Sequence, residues 1–302
     1  MRLLLLIALG IGLVVPCAAS HARETRRLSP SSKWVLDYAE DSCRLGRKFG
    51  EGDREVTLIL DQFSPGDWFK VMVFGKSVAL RGARPPIHGS LRFGPNEPES
   101  RITGLSGSTG KLPTFLVDLA QRVAPLTEGE EKASADATRR RAQYQPARIS
   151  ADREKAATWI SLAKALPFDL VLDSGPMDKP LAGLRNCSWD MVKSWGLDVE
   201  QHKTLTREVG PKNEPAKWFR SQDYPQEMLR GGHQGIVNFR VIVDEHGTPS
   251  ACRIQTSTRP KEFDDLVCKS VMKRAQFEPA LDSQGKPIRS YWRQTVHYMI
   301  GG

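Results

Sequence analysis

Gly235-Ile236-Val237-Asn238-Phe239-Arg240-Val241-Ile242-Val243-Asp244-Glu245-His246-Gly247 decides how the C-terminal part of this 302-residue chain is read. Val237, Phe239, Val241 and Val243 fall on one face of an extended chain, and Asn238 and Arg240 on the other, the alternation of a half-buried strand. Asp244 to Gly247 reads as a hairpin loop, with Gly247 available for a positive φ. Ala251 to Thr256 then returns as a second strand with Cys252 and Ile254 inward. Lys261 to Ala275 reads as a helix with Phe263, Leu266, Val267 and Val271 on its apolar face. Its acids lie early and its bases late, as the helix dipole favours. Tyr291 to Ile300 is a third strand, with Trp292, Val296, Tyr298 and Ile300 toward the core and His297 pointing away, exposed. Upstream, Tyr224-Pro225 opens a short helix ending at Gly231-Gly232. The pattern predicts an α+β domain over 218–302: a three-stranded antiparallel sheet packed by helices.

The preceding segment predicts a separate mixed α+β domain over 31–200. Glu55 to Leu60 and Trp68 to Phe74 read as a hairpin around Ser64-Pro65-Gly66-Asp67. Short strands are expected at 90–93, 101–105 and 168–172. Thr114 to Val123, Asp152 to Leu166 and Lys179 to Trp195 carry apolar residues at helical spacing. Residues 23–32 read as a flexible leader, and the polar stretch 201–217 as a linker.

At the N-terminus, Arg2 precedes an apolar run from Leu3 to Val15, followed by Pro16 and small residues. This is the plan of a secretory signal peptide, with cleavage expected after Ala22. The run is shorter than the roughly 20 residues of a spanning helix, so membrane attachment is expected only if the segment is retained. The expected location is the periplasm. The cysteines agree with an oxidising compartment. Apart from Cys17 there are four, which allow three pairings. Cys252 and Cys268 are close and inside one module, which leaves Cys43 with Cys187. The formal net charge of +9 is spread along the chain, with 12 bases and 9 acids in 218–302. The one dense cluster, at 139–141, lies among glutamates. No nucleic-acid footprint is predicted.

Catalytic motifs are weak. Ser161-Leu162-Ala163-Lys164 matches S-x-x-K, but its companion elements are missing and it falls in a predicted amphipathic helix. The stretch from Gly104 to Lys111 differs from a phosphate loop in spacing, and Leu112 stands where Ser or Thr belongs. The six histidines have no metal-ligand spacing. No catalytic residue, metal or cofactor is predicted, and an enzymatic role remains open only for 31–200.

Tyr224-Pro225 before a short helix, Gly235-Ile236-Val237 opening a strand, the Val243 to Gly247 hairpin, Phe277-Glu278-Pro279-Ala280 and Gly285-Lys286-Pro287 together resemble the TonB C-terminal domain. The resemblance implies a periplasmic module that takes an extended peptide, the TonB box of an outer-membrane receptor, as an added strand. It places the pairing edge on Tyr291 to Tyr298, with Tyr291, Arg293, Thr295 and His297 along it. Gln222, Tyr224 and Pro225 then either contact the receptor or simply start a helix and pack on the core. A full energy transducer also has a retained N-terminal helix and a long Pro-rich rod. This sequence reads instead as a cleavable segment and a folded domain, so a TonB-like binding protein is expected rather than a transducer. A cell-envelope enzyme or a peptidoglycan-binding structural protein are the alternatives.

Overall fold

The computed structural model of the chain describes residues 23–80, 86–132, 148–258 and 261–298. The N-terminal segment 1–22 with its apolar run, the arginine cluster at 139–141 and Ile300 lie outside the described residues. No described helix is long and apolar enough to cross a membrane.

The first domain is a ten-stranded sheet that meets itself. Its strands are β1 (Thr25–Leu28), β2 (Val35–Tyr38), β3 (Cys43–Phe49), β4 (Val56–Gln62), β5 (Lys70–Phe74), β6 (Ile87–Phe93), β7 (Ser100–Thr109), β8 (Leu112–Val117), β9 (Ile160–Ala163) and β10 (Asp169–Leu172). They lie in the order β1-β10-β9-β6-β7-β8-β5-β4-β3-β2, with β1 parallel to β10. Beyond β1 the chain runs on to β3: Pro30 bridges Phe49, the Ser31 amide donates to the Lys48 carbonyl and the Gly50 amide to the Ser29 carbonyl, both at 2.9 Å. The ladder from β1 round to β3 therefore closes, which leaves fewer open edges. Phe49, Leu58, Leu60, Phe93, Phe115 and Leu170 fill the interior. Helix α1 (Ala151–Ala156) is short; α2 (Asp178–Ser194) lies across β3 and β2 and adds Leu181, Leu184 and Met191 to the same core. A Cys43–Cys187 disulfide fastens α2 to β3.

Three expectations are corrected here. Thr114 to Val123 is not helical: Phe115 and Val117 point inward at period two within β8. Asp152 to Leu166 is helical only as far as Ala156; Ile160 and Leu162 are the buried positions of β9, wedged between β6 and β10. Residues 23–32 are not a loose leader, because β1 completes the sheet and Arg23 and Arg27 pair with Asp169 and Asp173 at 2.7 and 2.5 Å.

After α3 (Val199–Lys203) the second domain contains β11 (Gly210–Pro211), α4 (Gln226–Arg230), β12 (Gly235–Val243), β13 (Pro249–Ser257), α5 (Lys261–Arg274), β14 (Phe277–Glu278), β15 (Ala280–Leu281), β16 (Pro287–Ile288) and β17 (Ser290–Tyr298). The three-stranded antiparallel sheet has the order β13-β12-β17. The register pairs Gly235 with Tyr298 and Val243 with Ser290. Val237, Phe239, Val241 and Val243 pack with Phe263, Val267 and Val271 of α5. Tyr298 stacks on Phe263 at 4.3 Å between ring centres. Cys252–Cys268 ties β13 to α5. The stretch 201–217 is not a free linker: Leu205 and Val209 are buried in this core beside Trp218, and β11 pairs with β14. Apolar residues too sparse to show a period carry it inward.

Candidate functional site

β12 is buried on both faces, with only Arg240 intermediate. One face meets α5. The other, read as polar from Asn238 and Arg240, lies against the first domain. Ile242 packs with Val192 and Leu197, flanked by Trp189 and Trp195. The Arg240 guanidinium sits 3.9 Å over the Trp195 ring and 3.8 Å from Asp41. Burial lowers its pKa to about 10, with Asp41 opposing. Arg253 of β13 binds Asp41 at 2.9 Å and also pairs with Glu40, while Gln255 donates to the Asp41 and Phe63 carbonyls at 3.1 Å. The polar stripe of the hairpin is an interdomain seam.

β17 ends the sheet, so one side of its backbone pairs with no other described strand. The Thr295 amide donates to the side chain of its neighbour Gln294 at 3.2 Å, not across the ladder. By alternation, the amides of 291, 293, 295 and 297 are directed to the open edge. Below this edge lies a cleft between the domains, lined by Arg293, Thr295 and His297 together with Trp68, Lys70 and Leu119.

The cleft gathers three of the residues predicted along the pairing edge. Arg293 donates through Nε to Ser64 Oγ at 2.6 Å; burial lowers its pKa, opposed by Tyr291 and Glu208. Thr295 donates to Asn238 Oδ1 at 2.6 Å. His297 is exposed, as expected, and its Nδ1 lies 3.9 Å from Asp118 Oδ1. Tyr291 is kept out of the cleft. Its ring packs against Trp195 at 4.9 Å and His202 at 6.1 Å, and burial raises its phenol well above the ordinary tyrosine range. Its backbone can pair with a strand, whereas its side chain belongs to the seam.

Tyr224 lies on the opposite face of the sheet. Its ring meets Phe263 at 5.4 Å and Tyr298 at 5.7 Å, and its hydroxyl donates to the His233 carbonyl at 2.5 Å. Pro225 precedes α4 as expected, and Gln222 is exposed. The neighbouring Asp223 grips Arg274 through both oxygens at 2.5 and 3.0 Å. Packing on the core is the role seen for Tyr224.

The sequence did not point to Trp68, Lys70 or Leu119. Trp68 follows the Ser64 to Asp67 turn and Leu119 follows β8; no local pattern announces that both face another domain. Trp68 is 46% and Leu119 62% exposed, large values for such side chains. Elsewhere in the first domain the buried charges resolve into paired sets. Arg185 holds Glu154 at 2.6 and 2.9 Å, and Arg153 holds Glu130 at 2.5 Å and also Glu97. Ser161 and Lys164 of the S-x-x-K match lie on β9 and in the turn after it, where Lys164 takes φ 63° and its amide donates to Asp169. They do not share a helix face.

Residues 220–300 match the family described as Gram-negative bacterial TonB protein C-terminal. The match spans the sheet and α5 and confirms the resemblance carried by Tyr224-Pro225 and the hairpin. No curated protein matches the chain.

Proposed function

We propose, with the TonB C-terminal fold of residues 220–300 as the premise, that this is a periplasmic binding protein that takes an extended segment of an outer-membrane receptor as a fourth strand beside β17. One observation carries the reading: the sheet stops at β17, whose outer backbone groups pair with no other described strand. An edge strand of this kind is a template for strand addition, in which main-chain hydrogen bonds supply affinity and side-chain pockets supply specificity. Arg293, Thr295 and His297 face the added strand from the cleft, while Tyr224 supports the far end of β17 from the core side by packing on Tyr298.

The protein acts by binding rather than catalysis, and it does not transduce energy. The stretch joining its domains is folded into the second core and offers no extended rod.

The test is an amide NMR titration of the oxidised, isotopically labelled protein lacking residues 1–22 with TonB-box peptides. The expected result is shifts confined to β17, the adjoining cleft and the turn at Tyr224. If no peptide moves any β17 amide at millimolar concentration, the strand-addition reading fails.

A further inference from the structure

Arg293 is a partly buried cation with no anion beside it. Ser64 takes its Nε, and its two terminal nitrogens have no hydrogen-bond partner among the described residues. No described carboxylate lies within ion-pair distance. Glu208 acts on it only from farther off, and burial pushes that carboxyl itself up toward the neutral form. Withdrawing a guanidinium from water without a counter-ion is costly, and a chain that keeps one at a cleft is a candidate for receiving the anion from outside.

The other groups around the cleft agree. Lys70 gives a hydrogen bond to the Asp118 carbonyl, not to a carboxylate oxygen. Asp61 is held by Arg44 through both oxygens at 2.9 and 3.1 Å, so it does not neutralise Arg293. Asp118 faces His297 and lies in the field of Lys70. Two cations thus stand at the edge of β17 without side-chain anions bonded to them. Beside them Trp68 and Leu119 offer exposed apolar surface.

We propose that the cleft is a subsite for an acidic side chain on the added strand, rimmed by an apolar subsite. The inference rests on the strand-addition reading and makes it specific. A residue opposite Arg293 on a new strand points to the same face of the sheet, with its Cβ about 5 Å away. An Asp or Glu there reaches the free nitrogens of Arg293. Because side chains alternate, residues two positions along face the first domain as well, where Trp68 and Leu119 receive an apolar group. The first domain is then a second wall of the binding site.

The experiment compares two capped heptapeptides of alternating Thr and Val, one with a central Asp and one with a central Asn, on the oxidised protein at low salt. Calorimetry reads affinity and amide shifts read location. Both peptides are expected to move β17 amides, with the Asp peptide bound about tenfold tighter, since a charge-assisted bond replaces a neutral one. In Arg293→Gln the two peptides are expected to bind equally, and Arg293→Lys is expected to keep part of the preference.

Equal affinity of the two peptides for the wild-type protein, with β17 amides shifting, overturns the acidic subsite and leaves strand addition standing. No β17 shift with either peptide removes strand addition and the subsite with it. A preference for Asp that survives Arg293→Gln places the anion elsewhere and also overturns the proposal. The comparison on the wild-type chain needs no variant to fold.

Discussion

His202 sits at the seam between the domains, with Nδ1 2.6 Å from the Asp198 carbonyl oxygen and Nε2 2.9 Å from Ser290 Oγ. A carbonyl only accepts, so Nδ1 carries the proton and Nε2 accepts from the Ser290 hydroxyl. The ring is 7% exposed beside Tyr291, and burial depresses its pKa, against the opposing pull of Asp198. The unfolded chain takes up a proton near pH 6.5, which the folded chain refuses until lower pH. This contribution to stability is therefore complete above about pH 6.5 and falls as pH drops toward the depressed value. His202→Gln should flatten that part of the profile, read as the melting temperature of wild type and variant between pH 7 and pH 5. A variant slope as steep as wild type would refute this role. Residue types alone showed that Asn238 and Arg240 share a face. What covers that face depends on Trp195 and Asp41, too far away in the chain for any local pattern to report.

The hairpin joining β12 and β13 was readable because its turn chemistry is local. Gly247 has φ +81°, and a Cβ there would lie 2.0 Å from the Phe277 carbonyl oxygen. Asp244 Oδ1 accepts from the amides of His246 and Thr248 at 2.9 and 2.8 Å. Gly247→Ala should cost more than about 1 kcal/mol, measured by chemical denaturation, because both the backbone conformation and the approach of Phe277 resist a side chain. The Cys252–Cys268 bond closes a loop with a sequence separation of 16. Replacing both cysteines with Ala should lower stability by about 3 kcal/mol in the chain-entropy description, and an unchanged denaturation midpoint would contradict it. The second domain was legible because its strands alternate cleanly. The first was less so: β8 and β9 are short, and Leu116 in β8 and the alanines of α1 and β9 mimic helical spacing. Tertiary pairing, not propensity, makes them strands.

The two domains share one set of contacts. Asp41 anchors Arg253 and lies 3.8 Å from Arg240, and Ile242 and Tyr291 bury apolar surface against α2 and the chain after it. Asp41→Ala would leave Arg240 buried without its carboxylate, at roughly 1–3 kcal/mol. Wild type is expected to unfold in a single calorimetric transition, and the variant to show the second domain melting ahead of the first. Two separated transitions in wild type would contradict this coupling. None of the seam was visible in the sequence, since its partners come from distant segments, such as Trp195 under Arg240 and Asp41 beside Arg253. The cleft at β17 was half legible for the same reason. Arg293, Thr295 and His297 follow from strand alternation, whereas Trp68, Lys70 and Leu119 come from the other domain.

The parallel pairing of β1 with β10 also sets an order of events in time. Thr25 meets Asp169 and Leu28 meets Leu172, so the first described strand waits for one made 144 residues later. Until that later strand has emerged, the barrel cannot close and its apolar interior stays open to water. Such distant pairing makes folding slow, because a large loop must be ordered before its contacts reward it. A chain made from its N-terminus therefore stays pliable for most of its synthesis, and becomes rigid only when nearly all of the first domain has been made.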